Sequence, residues 1–257
     1  MKIHKEKLFV STVADNAVSC ARDFGLGLEI AEYCTAYNMD APDFAEVDAA
    51  VRQKLADVPN AGLTFHAPFN ELCPAAIEPR VREVTRERIL QAAELAAGYG
   101  AKKIVVHSGY VPLVYFKGFF VEQSVLFWKQ LLTELPKGLS LAVENVLEDE
   151  PDGICEIVRQ VGDPRLGMCL DVGHANTIVS ELPVLEWCRR AAPVISHLHI
   201  HNNTRTWDHH APLGDGMIDY APLLELLLEN APEATFTIES IDAYSSAVWL
   251  REHGFLE

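Results

Sequence analysis

The chain has few basic residues for its size. Lys and Arg number 21 against 37 Asp and Glu, giving a formal net charge of −16 over 257 residues. A surface that grips a nucleic-acid backbone needs basic patches, so this balance argues against a nucleic-acid partner. It leaves room for a small anionic substrate drawn in by metal ions. Long hydrophobic runs are also missing: no stretch approaches the roughly 18 apolar residues of a membrane span. The N-terminal segment MKIHKEKLFVSTVA lacks the apolar run of a signal peptide. The six cysteines, Cys20, Cys34, Cys73, Cys155, Cys169 and Cys188, form no CxxC pair and mostly lie in apolar runs. Reduced, buried thiols in a cytoplasmic protein are the expectation, rather than disulfides or a thiolate zinc site. P-loop, nucleophile-elbow and Schiff-base signatures are absent, and GLGLE at 25–29 is only a weak match to a Gly-rich phosphate loop.

What is present is a regular alternation of strand and helix patterns, in a chain whose 49% apolar content can fill a sizeable core. Short Val-, Ile-, Leu- and Phe-rich runs, of the kind buried parallel strands show, fall at 8–14, 26–32, 62–67, 102–107, 140–145, 166–171, 195–201 and 235–240. Helical patterns lie between and after them, at about 16–24, 44–57, 79–98, 121–135, 152–161, 182–191, 219–230 and 244–253. Asn16 and Asp219 are placed to cap the helices that follow them. Eight such units in about 250 residues predict an α/β fold, a single (β/α)8 TIM barrel occupying residues 1–257 as one domain, with a doubly wound open sheet as the alternative. The longest connections, 108–120 and 202–218, follow the fourth and seventh strands, on the face where such barrels build their pockets. Helix-rich barrel exteriors often dimerise, so a homo-oligomer is compatible with the sequence.

Polar side chains recur where these strands end: His66 in LTFHAPF, His107 in KKIVVHSG, Glu144 in LAVEN, Asp171 and His174 in CLDVGH, His199 in HLHIHNN, Asp208 and His210 in WDHHAPLGDG, and Glu239 in TFTIES. Buried carboxylates repel one another unless a cation holds them together, so the recurrence suggests one metal site drawn from the whole chain. Singly, each residue has a bland alternative: a capping Asp, an ion-paired Glu, a core His. Their matching positions are what favour a common purpose. Glu144 and Glu239 on opposite walls could also act as acid and base on two faces of a substrate. His197, His199 and His201 alternate along one strand and share a face, so periodicity does not choose a ligand among them. Glu29 and Glu32 at the end of the second strand, and Arg205 in the 202–218 connection, are candidates for substrate contact. The run RVREVTRER reads as a solvated helix face, and Trp128, Trp187 and Trp249 as packing.

The ordered set HAPF, VVHSG, VEN, CLDVGH, HLHIHNN, DHHAPLGDG and IES resembles the xylose isomerase-like TIM-barrel superfamily, also called the AP endonuclease family 2 group. The resemblance implies two functional branches. In sugar and sugar-phosphate isomerases and epimerases, Glu144, Asp171, His199 and Glu239 would hold a single Mn2+, Mg2+ or Co2+, and the two glutamates would move a proton through an enediolate. In endonuclease IV-type phosphodiesterases all nine residues would hold three Zn2+ ions. His66, His107 and Glu144 would take the first, with Glu144 bridging to a second completed by Asp171, His199 and Glu239. His174, Asp208 and His210 would take the third. The choice of His199 among the three alternating histidines comes from this resemblance. The full nine favour the zinc hydrolase, while the acidic charge and the lack of basic loops point away from DNA towards a phosphodiester in a small molecule. The stretch STVADNAVSCARDFGLGLEIAEYCTAYNMD is similar to the cobamide-remodelling phosphodiesterases of the group, which implies a corrinoid substrate cut to cobinamide phosphate and a nucleoside. A non-catalytic ligand-binding barrel is the third class.

Overall fold

The structure is a computed structural model and describes residues 1–40 and 42–257. Eight parallel strands close into a barrel in sequence order: β1 (Leu8–Ser11), β2 (Gly27–Ile30), β3 (Leu63–His66), β4 (Lys103–His107), β5 (Ser140–Glu144), β6 (Leu166–Asp171), β7 (Ile195–Ile200) and β8 (Thr235–Ile238). The helices are α1 (Ala17–Phe24), α2 (Phe44–Ala56), α3 (Pro79–Tyr99), α4 (Lys117–Glu134), α5 (Asp152–Val161), α6 (Val184–Ala191), α7 (Tyr220–Asn230) and α8 (Ala243–Glu252). The (β/α)8 architecture expected from the alternation is therefore the fold. No described helix is long and apolar enough to cross a membrane.

Strand side chains alternate between two environments. One set, including Leu8, Leu28, Phe65, Ile104, Leu141, Met168, Leu198 and Phe236, packs outward against the helices in one large apolar core. The other set faces the barrel axis, where Val105, Ala142 and Cys169 form a small cluster of their own. The interior is otherwise polar or small, with Glu29, Thr64, His197 and Thr237 fully or almost fully buried. At the N-terminal end of the strands the Phe9 ring takes the space that a side chain at Gly27 would need: a Cβ there would lie 2.3 Å from it. Position 27 must therefore be glycine for Phe9 to plug the barrel.

Two local expectations are corrected. Asn16 makes no side-chain cap on α1. Its side chain reaches across the chain instead, donating to Asp242 (2.7 Å) and accepting from the Ala243 N–H (3.1 Å), so it ties down the start of α8. Helix α4 begins at Lys117 rather than 121; no Ser, Thr, Asp or Asn marks that start, and Phe116 supplies only its backbone carbonyl. Asp219 does cap α7, accepting from the Ala221 N–H at 3.3 Å. All six cysteines are free thiols, five of them buried.

Candidate metal centre

The barrel register brings the strand ends together. His107 pairs with Glu144 between β4 and β5, and Asp171 with His199 between β6 and β7. All nine residues singled out in the sequence meet at the C-terminal mouth of the barrel; eight of them fall into three groups, and Asp171 lies between His174 and His199. His66, His107 and Glu144 form one; His66, His199 and Glu239 another; His174, Asp208 and His210, joined by His201, a third.

Glu144 is the hub. One oxygen lies 3.3 Å from His66 Nε2 and 3.5 Å from His107 Nε2; the other lies 3.3 Å from His199 Nδ1 and 3.5 Å from His174 Nδ1. His199 Nδ1 is also 3.2 Å from Glu239 and 3.8 Å from Asp171. Asp208 lies 3.1 Å from His174 Nε2 and 3.0 Å from His210 Nε2. This settles the geometry of HLHIHNN. His197 sits deep in the barrel floor, His199 between the central carboxylates, and His201 beside the third group.

Several imidazoles have their outward nitrogen fixed. A carbonyl only accepts, so His66 Nδ1–H donates to Ala67 O (2.8 Å), His174 Nδ1–H to Asn145 O (2.9 Å) and His210 Nδ1–H to Glu239 O (2.9 Å). Each then turns Nε2 towards the carboxylates, where a cation held between them would take its lone pair, which is the arrangement that orients a metal-ligating histidine. Asn145 braces the same region, exchanging two hydrogen bonds with the Asp171 backbone at 3.0 and 2.9 Å.

The electrostatics follow from burial opposed by pairing. Burial pushes the Glu144 carboxyl up, but His199 and His107 overcome it and hold it well below its usual range. Burial likewise opposes charge on His174, while Asp171, Asp208 and Glu144 raise it well above the ordinary imidazole value. His210, pressed down by burial and up by Asp208, ends at about 9. His107, where burial dominates, falls to about 4. Both ring nitrogens of His199 and Nδ1 of His201 are buried without an aligned hydrogen-bond partner. Such orphaned atoms ordinarily cost about 1–3 kcal/mol each. Unpartnered nitrogens packed against carboxylates are what a divalent-cation site requires, so the donor set fits metal.

Three other expectations meet the geometry differently. Glu29 has no exposed surface, which does not fit a substrate contact; it lies beneath the cluster, where Oε2 accepts from Thr64 (3.1 Å) and Thr237 (2.8 Å) and Oε1 is 3.0 Å from His199 Nε2. Glu32 is a loop tie, accepting from Thr12 and pairing with Lys54, both at 2.7 Å. Arg205 is exposed, on the loop that carries Asp208 and His210, with a left-handed φ of 71°. His201 was not singled out as a ligand, although its alternation with His199 placed it on the correct face.

The mouth opens into two clefts. One, of about 320 Å³, is lined by His66, Phe69, His210 and Glu239. The other, of about 540 Å³, adjoins His107 and is lined by Ile77, Val81, Val111, Val114 and Leu147, with Glu71 and Glu78 as its charged members beside that histidine.

A parallel eight-stranded barrel with a histidine–carboxylate cluster at its C-terminal mouth defines a class of metal-site TIM barrels. The chain belongs to the xylose isomerase-like TIM barrel family, which matches residues 19–256. It is 31% identical over 214 residues to protein MJ1311 of Methanocaldococcus jannaschii, covering 78% of this chain and 72% of that one. It is 28% identical over 165 residues to a probable endonuclease 4 of Mycobacterium leprae, covering 60% and 64%. Among solved structures it is similar to a D-tagatose 3-epimerase-like protein, with a TM-score of 0.77, 25% identity and 96% of each chain covered.

Proposed function

We propose that this protein is a zinc-dependent hydrolase that cleaves a phosphodiester in a small molecule. One observation carries the reading: all nine residues converge on one mouth, where Glu144 lies within 3.5 Å of His66, His107, His174 and His199 and His174 and His210 close on Asp208 beside it. A single-metal isomerase needs four of them and has no evident use for His66, His107, His174, Asp208 and His210. The similarity to an endonuclease 4 supports the reaction class. The cleft beside His107 supports a small substrate over a nucleic-acid strand, because its walls are apolar and its charges acidic.

His66, His107 and Glu144 would hold one zinc ion, Glu144, Asp171, His199 and Glu239 a second, and His174, Asp208 and His210 a third. Bound there, zinc supplies Lewis acidity to the phosphoryl oxygens and the leaving alkoxide and lowers the pKa of water. The chain's own residues do the rest. Glu144 keeps the donor groups adjacent and neutralises the surrounding histidines. Glu239 lines the open cleft and can take a proton from the attacking water at its carboxylate. Phe69, stacked on His107 at 4.2 Å, blocks one side of that ring from solvent. Arg205, exposed on the loop that carries Asp208 and His210, would be a cation available to the substrate's phosphate.

A second reading is favoured by one specific observation. Glu144 and Glu239 lie 3.3 and 3.2 Å from the same nitrogen of His199, which makes them available as the pair of carboxylates an enediolate mechanism uses, and an epimerase-like structure is a neighbour at 25% identity. Zinc-loaded protein assayed on bis(p-nitrophenyl) phosphate, on an adenosylated cobamide and on ketohexoses separates the two. Hydrolysis of a phosphodiester supports the proposal, and nucleoside release from the cobamide would establish the substrate that the N-terminal stretch suggests. Ketose epimerisation without hydrolysis refutes it.

A further inference from the structure

The third donor group has one more member than the nine residues provide. We infer that His201 is a fourth protein ligand beside His174, Asp208 and His210. These four close the position, making it a structural anchor for a zinc-class cation rather than an open catalytic one. The inference rests on the multinuclear reading above and specifies one part of it.

His201 is fully buried, and its ring stacks on His210 at 3.9 Å and 11°. Its Nε2 lies 3.1 and 3.2 Å from the two Asp171 oxygens, so the proton belongs on Nε2, donated to that carboxylate. Nδ1 then carries the lone pair. That atom is buried, has no hydrogen-bond partner, and lies 3.6 Å from Asp208 Oδ1. The donor atoms of His174, His201, Asp208 and His210 all lie within 4.8 Å of one another. With Nδ1–H of His174 and of His210 donated to carbonyls, each of the three imidazoles directs a free nitrogen towards Asp208.

A second observation comes from Gly173, in CLDVGH. A Cβ there would lie 2.0 to 2.5 Å from three atoms of the His201 ring, although its backbone φ of −69° would suit any residue. The absence of a side chain at 173 is explained by the ring that lies over it.

Three imidazole nitrogens and one carboxylate oxygen make a complete tetrahedral zinc set, and a site with four protein ligands has no position left for water or substrate. Such a cation would tie the turn after β6 (His174) and the end of β7 (His201) to the 202–218 loop (Asp208 and His210). The loop is already pinned at its base by the Asn202–Ala211 bridge. Activation of water then falls to the groups that share Glu144.

The test uses the full chain with zinc alone as the probe, titrated against a chromogenic chelator, together with limited proteolysis of the 202–218 loop in saturating zinc. The wild type should bind about three zinc ions. His201→Asn and Gly173→Ala should each weaken one of them by roughly tenfold or more and expose the loop to protease. Gly173→Ala retains the imidazole and only displaces it, so it decides the matter if His201→Asn fails to fold. Wild-type affinity for all three ions in both variants overturns the role of His201 alone. A wild type that binds one ion overturns the multinuclear reading itself.

Discussion

Replacing Glu29 by Gln tests whether the residue beneath the cluster acts through His199 or on substrate. Glu29 lies fully buried, with one oxygen accepting from Thr64 and Thr237 and the other 3.0 Å from His199 Nε2. Burial pushes its carboxyl up, but His199 and His197 hold it well below its usual range, so it is an anion. That charge keeps the His199 proton on Nε2 and its Nδ1 free for a cation held by the central carboxylates. Gln keeps the volume and one accepting oxygen, so the variant loses the charge and one of the two acceptor positions. Losing such an outer partner typically costs about 10–100-fold in metal affinity, and the retained oxygen puts this variant near the lower end, about 1.4 kcal/mol. Glu29→Ala removes both acceptors and orphans the Thr64 hydroxyl, at about 1–3 kcal/mol, while Thr237 keeps His197 as a partner, so this variant should also lower the melting temperature. The assay is competitive zinc titration alongside KM. Unchanged zinc affinity in Glu29→Gln with a raised KM would refute this reasoning and restore Glu29 as a substrate contact.

Glu144→Gln removes the carboxylate around which four histidines are arranged, and turnover should fall by at least about 10²-fold with loss of bound metal, since this side chain serves both acid–base and ligand roles; unchanged kcat would remove Glu144 from the mechanism. Lys103 lies near the N-terminal end of β4, where burial pushes its pKa down to about 8 and its ammonium donates to Ser196 O and Thr235 Oγ1. An unfolded lysine keeps its proton to about pH 10.4, so between those values the unfolded chain binds the extra proton and stability rises with pH. Buried thiols such as Cys20 and Cys188, both pushed up to about 12, act in the opposite direction above pH 9. The lysine contribution is therefore read as a difference: wild type should gain on Lys103→Met by a few kcal/mol from pH 8 to 10, at about 1.4 kcal/mol per pH unit, and parallel denaturation profiles would contradict it.

Much of the fold was legible because each element carries its own period. The eight apolar runs and the helical stripes between them end within a few residues of β1–β8 and α1–α8. The mouth cluster was legible for a related reason: in a closed parallel barrel, polar residues at successive strand ends must meet. Depth along the axis was not legible. His197, His199 and His201 share a face, and what separates floor, centre and rim is the barrel register, including the irregularity at Met168/Cys169 that pairs Asp171 with His199. The same ignorance of depth made Glu29 look like a pocket residue, when it lies one layer below. Asn16 misled because its position before a helix is a capping signal, whereas its partner, Asp242, is 226 residues away in sequence.

The central claim is that the nine converging residues, with Glu144 at their centre, hold a cluster of cations rather than one. Elemental analysis of zinc-saturated protein after removal of loosely held metal tests it most directly. About three zinc ions per chain is the predicted result. A single tightly held ion, with the five residues His66, His107, His174, Asp208 and His210 replaceable without loss of metal, would contradict the account and leave the one-metal isomerase in its place.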